Sequence, residues 1–168
     1  MSAFSHKTGD NSVTGDFSKL ENLVKNLGKK FYTDIGILGA GGKTAKGGIT
    51  LAGMGAVHEF GTDKAGRGNK TKIPERSFIR DPLETGQGDI EKQIEPRIQE
   101  LLENGDIKRI FELIGIAGEA RIQEAFETGG FGTWEDITEA TKKAKGSDAI
   151  LIDIGALRQA ITSRVGGG

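Results

Sequence analysis

The residues with the most chemical promise lie in "DIGILGAGGKTAK", positions 34 to 46. A short apolar run turns through Gly39, Gly41 and Gly42 and delivers Lys43 and Thr44. Glycine-loop amides, a lysine ammonium and a hydroxyl together cradle phosphates in nucleotide enzymes. That pattern needs a glycine, four residues, then Gly-Lys-Ser/Thr, so the first glycine belongs at Ile37; Gly36 is one residue too early. The loop must also open into a helix whose N-terminus completes the anion site, and "AKGGIT" does not propagate one. No Gly-x-Gly-x-x-Gly runs from a strand into a helix either. The stretch therefore reads as a connector between extended segments, where glycine accepts positive φ.

The second candidate is His58-Glu59 in "HEFGT". A zinc-protease helix needs a second histidine four residues after the first, and that position is Thr62. The other histidine in the chain is His6, so no metal site is expected. There is no cysteine, which excludes a thiolate nucleophile, a thiolate metal site and a disulfide framework. No serine sits in Gly-x-Ser-x-Gly. The carboxylates fall mostly on the polar faces of two central helices, and nothing selects a hydrolytic pair. The sequence thus names no catalytic residue and no cofactor, and the expectation is a protein that is not an enzyme.

The elements that carry these residues can be read from spacing. Residues 1 to 16 are polar and read as a flexible arm, with 17 to 168 as one domain. Phe17, Leu20, Val24, Leu27 and Phe31 recur three or four apart, which predicts an amphipathic helix with Asp16 as a plausible N-cap. "YTDIGILG" favours a strand. "ITLAGMGAVHEFG" fits either a glycine-weakened helix or a second strand. Residues 61 to 72 read as an exposed loop and "IPERSFIRDPL" as extended, since each proline pushes its predecessor out of the α region. Ile90, Ile94, Ile98, Leu101 and Leu102 mark one helix, with Pro96 either kinking it or lying in its first turn. Ile107, Ile110, Phe111, Ile114, Ala117, Ala120 and Phe126 mark the clearest helix of the chain. Thr138 to Lys145 suggests a short helix, and the C-terminal stretch leans to strand. This order predicts an α+β fold, a small mixed sheet against two or three helices, with long glycine-rich loops.

Charge is uneven although the net value is only -1. Residues 43 to 80 hold Lys43, Lys46, Lys64, Arg67, Lys70, Lys72, Arg76 and Arg80 against Glu59, Asp63 and Glu75; residues 89 to 127 tilt acidic. A monomer polarised in this way can pack head to tail, which closes into rings. The basic loop could instead face nucleic-acid phosphates, or simply be solvated. It lacks interleaved aromatics, so base stacking is not expected. No apolar run approaches the ~20 residues that span a bilayer, and the first residues lack the basic and apolar regions of a signal peptide.

Three segments in order carry a family resemblance. "VHEFGT" (57 to 62) precedes "IPERSFIR" (73 to 80), and "GGFGTWEDITEATKKAKGSDAILIDIGALRQAITSRV" (129 to 165) follows. Together they resemble the virion-morphogenesis proteins of tailed bacteriophages, the tail-completion or neck proteins of the head–tail junction. Trp134, Thr138, Thr141, Lys145, Leu151, Asp153, Gly155, Leu157 and Ile161 carry the last part of that pattern. Ser77, Glu135-Asp136, Ile154 and Ala160 depart from it. The resemblance implies a structural protein of the virion, made in the host cytoplasm. It would assemble with itself as a ring, expected as a hexamer, between connector and tail proteins. The ring would surround the DNA path, with non-specific DNA contact in the channel and no membrane. A tail terminator ring is the alternative, and a nucleotide-dependent enzyme the more distant one. Candidate interaction residues are His58, Glu59, Phe60, Lys64, Arg67, Lys70, Lys72, Arg76, Phe78, Arg80, Trp134 and Asp153. Among them Phe60 and Phe78 are candidate anchors, and Arg76 and Arg80 candidate partners for a neighbour's acids. Trp134 is expected in the core rather than at an interface, and Asp153 in a turn or a helix cap.

Overall fold

A computed structural model describes residues 7–8, 11–12, 18–39, 42, 48–65, 68, 71–135 and 155–167. The order is β1 (Lys7–Thr8), β2 (Asn11–Ser12), α1 (Ser18–Leu27), β3 (Phe31–Ile37), α2 (Leu51–Phe60), β4 (Thr62–Ala65) and β5 (Thr71–Ile73). Then come α3 (Arg80–Thr85), α4 (Gln87–Glu103), α5 (Ile107–Thr128), α6 (Gly155–Gln159) and β6 (Ile161–Gly167). The class is α+β. The described strands form three antiparallel pairs, β1 with β2, β3 with β6 and β4 with β5. Among the described residues the strands are thus antiparallel ribbons, and no parallel pair of the expected mixed sheet is among them. The Asp16 cap, the arm outside β1 and β2, and the helix at Thr138 to Lys145 lie outside the described residues.

Helix α5 organises the rest. Asp106 caps it, its Oδ1 accepting from the Arg109 amide at 3.3 Å, and Gly129 ends it in the left-handed region at φ 62°. Its face of Gly115, Gly118, Ile122 and Ala125 is buried. Gly115 lets the β3–β6 ribbon lie close, and Gly118 leaves room for the Ile35 side chain. A methyl at Gly115 would come 2.5 Å from Ser163 Oγ, and one at Gly118 2.5 Å from Ile35 Cδ1. Thr33 Oγ1 fastens the ribbon by donating to the Phe111 carbonyl at 2.8 Å. Phe78, Ile122, Phe126, Leu157 and Ile161 form the core, with Ile35, Ile37, Ile79, Leu83 and Trp134 packed around them.

Local chemistry explains the elements that spacing left open. The "LAGMGAVHEF" segment is a helix because Thr50 caps it, its hydroxyl accepting from Gly53 N at 3.0 Å. Gly55 is the residue that lets α2 pack, since a side chain there would meet Ile37 Cδ1 at 2.5 Å. Residues 62 to 73 are not a plain loop: Thr62 pairs with Ile73 and Ala65 with Thr71. Pro96 lies in the interior of α4. Helix α6 is tied to α5 by Arg158 Nε donating to Gln123 Oε1 at 2.6 Å and by an ion pair from Arg158 to Glu127.

Helix α1 behaves unexpectedly for an amphipathic helix. The side bearing Glu21, Leu23 and Asn26 faces the body, where Asn26 Nδ2 donates to the Gly105 carbonyl at 2.7 Å. Its apolar stripe faces outward, with Leu20, Val24 and Leu27 exposed by 55%, 61% and 67%. Phe31, assigned to that helix from spacing, begins β3 instead.

Candidate functional site

The two segments "HEFG" and "IPERSFIR" form one unit around the Glu59 carboxylate. Glu59 ends the buried face of α2, after Leu51 and Gly55, and is 6% exposed. Its Oε1 accepts from Ser77 Oγ at 2.8 Å and from Arg80 N at 3.0 Å. Its Oε2 accepts from Phe78 N at 2.8 Å and Ile79 N at 3.0 Å. Ser77 Oγ in turn accepts from Asp81 N at 3.0 Å. A buried carboxylate needs such donors, because an unsolvated charge is very costly. The amides entering α3 would lack acceptors without it. The Arg76 amide adds a fifth tie between the segments, donating to the His58 carbonyl at 2.8 Å.

The same unit reaches the "GGFGTW" segment. The Arg76 side chain is buried and donates through Nε and Nη2 to the Glu135 carbonyl at 3.2 and 2.9 Å. Phe78 is fully buried, with its ring 5.1 Å from Phe126, which meets Trp134 edge-on at 6.0 Å. Trp134 packs against the core edge, over Gly130. Gly129, Gly130, Phe131 and Gly132 all have φ between 58° and 80°. Phe131 is the one described non-glycine residue in that region, a costly conformation for an aromatic residue. The Arg121 guanidinium lies 3.9 Å from its ring centroid and offsets part of that cost.

This geometry sorts the sequence candidates. Phe78 is a core residue and cannot anchor a neighbour without unfolding the site. Arg76 is likewise inside the chain rather than offered to a neighbour's acids. Arg80 is satisfied locally, by Glu75 at 2.6 Å and Asp81 at 3.3 Å. Those hydrogen bonds, Glu75 first, push its guanidinium further above the ordinary arginine value. Phe60 remains outward at 64% exposure, under Arg80 at 5.7 Å. Lys64 and Lys72 are exposed on the β4–β5 hairpin beside it. His58 is half-buried and offers its carbonyl to the Arg76 amide. Arg67, Lys70 and Asp153 lie outside the described residues. Ser77 was missed from sequence as a site residue, because it lies two residues before the Ile79 cap of α3 and its role, bridging Glu59 and the Asp81 amide, depends on a segment 18 residues away.

The chemistry available here is that of a brace. The carboxylate is consumed by donors of its own chain, and no three His, Asp or Glu side chains among the described residues are placed to hold a metal. No helix among the described residues is long and apolar enough to cross a membrane. No protein-family model, curated protein or solved structure matches the chain.

Proposed function

We propose that this chain is a structural protein of a tailed-phage virion, a neck or tail-completion component that assembles as a ring around the DNA path. The observation that carries the reading is the Glu59 brace. The two segments that resemble the family's motifs fold into one unit, with Phe60, Arg80 and the Lys64/Lys72 hairpin displayed beside it. A rigid base beneath an exposed aromatic–cationic surface suits repeated subunit contact. The outward stripe of Leu20, Val24 and Leu27 supports the reading as well, because such stripes mark surfaces that are covered on assembly. The hairpin lysines suit a position near DNA phosphates.

The test is loss and location. Particles made without this chain should accumulate filled heads and separate tails, and labelled chain should image at the junction in intact virions. Virions that join normally without it would end the reading. A nucleotide-dependent enzyme is separated by a simpler measurement: millimolar Mg-ATP should leave the melting temperature unchanged. A reproducible rise would show mass-action stabilisation by a specific ligand and favour the enzyme.

A further inference from the structure

Strands β3 and β6 pair in unbroken register over seven residues each, from Phe31 opposite Gly167 to Ile37 opposite Ile161. Among the described residues neither strand has a second strand neighbour. Edge strands are normally guarded by lysine, proline, a bulge or a covering element. "FYTDIGI" and "ITSRVGG" contain neither lysine nor proline, and their ladder has no bulge. Among the described residues, therefore, no lysine, proline, bulge or third strand guards either edge. Phe31, Thr33 and Ile35 turn toward α5, which leaves Tyr32 and Asp34 on the outer face with Arg164. Asp34 and Arg164 pair at 2.9 Å with side chains 39% and 69% exposed.

We infer that these edges are the contact between copies of the chain: the free edge of β3 in one copy pairs antiparallel with the free edge of β6 in the next. The inference rests on the ring reading above and names its interface. Charge selects the arrangement. Asp34 is the middle residue of β3, and Arg164 the middle residue of β6. A two-fold β3–β3 contact over the full strand places Asp34 opposite Asp34. A two-fold β6–β6 contact places Arg164 opposite Arg164. Only β3 against the next copy's β6 brings unlike charges together, and it sets each Asp34 between two arginines. That contact is heterologous, the kind that forms a ring when the rotation between copies closes. It also repeats outside the ribbon the pairing already present inside it.

The experiment uses two charge variants of the full chain, Asp34→Arg and Arg164→Asp, sedimented alone, mixed, and with tails that lack the protein. Each alone opposes like charges at every contact and should assemble at least about tenfold more weakly than wild type. The pair is exposed, so the like charges that each variant sets opposite one another within its own ribbon should cost little, and a melting curve of each confirms that it is folded at the temperature of the experiment. An equimolar mixture should regain wild-type assembly, because every contact then alternates arginine with aspartate. Mixing cannot repair a pair that acts only within one chain. Either variant assembling like wild type, as it would if a segment of the same chain covered these edges, refutes the interface and leaves the ring reading standing. A mixture that stays dissociated refutes it too. Wild-type chain that never assembles, with tails present, refutes the ring and the interface together.

Discussion

Replacing Glu59 by alanine should cost about 4 kcal/mol and lower the melting temperature by roughly 8–16 °C. The substitution removes one acceptor group that serves Ser77 Oγ and the amides of Phe78, Ile79 and Arg80. Each buried donor left unpaired costs about 1–3 kcal/mol, and water entering at the part-buried Ile79 and Arg80 amides recovers a share. Glutamine tests the mechanism more sharply, since it keeps the volume. Its NH2 group must face either Arg80 N and Ser77 Oγ or the amides of Phe78 and Ile79. Ser77 can turn its hydroxyl to accept, but a backbone amide cannot. Glu59→Gln should therefore lose about half of what alanine loses. Chemical denaturation of the three proteins decides it, and an alanine variant within about 1 kcal/mol of wild type would show that the brace carries little. Assembly should fail in the alanine variant as well, because Phe60 and Arg80 are aimed by the segments Glu59 joins.

The brace explains why the site was only half legible in sequence. Glu59 attracted notice for a chemistry it does not perform, the zinc helix, because a local pattern cannot show what an acid will face. Its partners are backbone amides 19 to 21 residues later, and amides carry no sequence signature. Phe78 sits among charged residues and reads as a surface anchor, yet its ring fills the core against Phe126. Helices α4 and α5 were legible because their apolar residues recur with helical spacing. Helix α2 was left between helix and strand, since Gly53 and Gly55 depress propensity, and Gly55 does so for the sake of close packing against Ile37. The β4–β5 hairpin was hidden by its polarity. The pairing of β3 with β6 joins residues about 130 apart, and no local period encodes such a partner. For α1 the spacing correctly gave a helix, but the burial of its stripe depends on what the stripe meets.

Gly115 sets how close that ribbon lies to α5, and Gly115→Leu should cost about 3 kcal/mol by overpacking. In an isolated helix replacing glycine by any residue but proline helps, alanine by about 1 kcal/mol. Here the added carbon would lie 2.5 Å from Ser163 Oγ, 2.8 Å from Ser163 Cβ and 3.1 Å from Thr33 Cγ2. A Cβ is fixed to its backbone and cannot rotate away, so the whole ribbon must retreat. That retreat stretches the Thr33 hydrogen bond to Phe111 and parts the Phe31 and Phe111 rings, now 5.7 Å apart. Gly118 supplies the control. The atom nearest a methyl there is Ile35 Cδ1, the free end of a flexible side chain. Gly118→Ala should thus be close to neutral, and Gly115→Ala should lose stability despite its better helix propensity. Thermal denaturation of both alanine variants and the leucine variant separates the cases; a stabilised Gly115→Ala would mean that the ribbon floats above the helix. Because Asp34 and Arg164 ride on the ribbon, Gly115→Ala should also weaken assembly at temperatures where the chain is still folded. On the proposed interface, the tight approach of strand to helix would then govern the contact between copies as well as the stability of one.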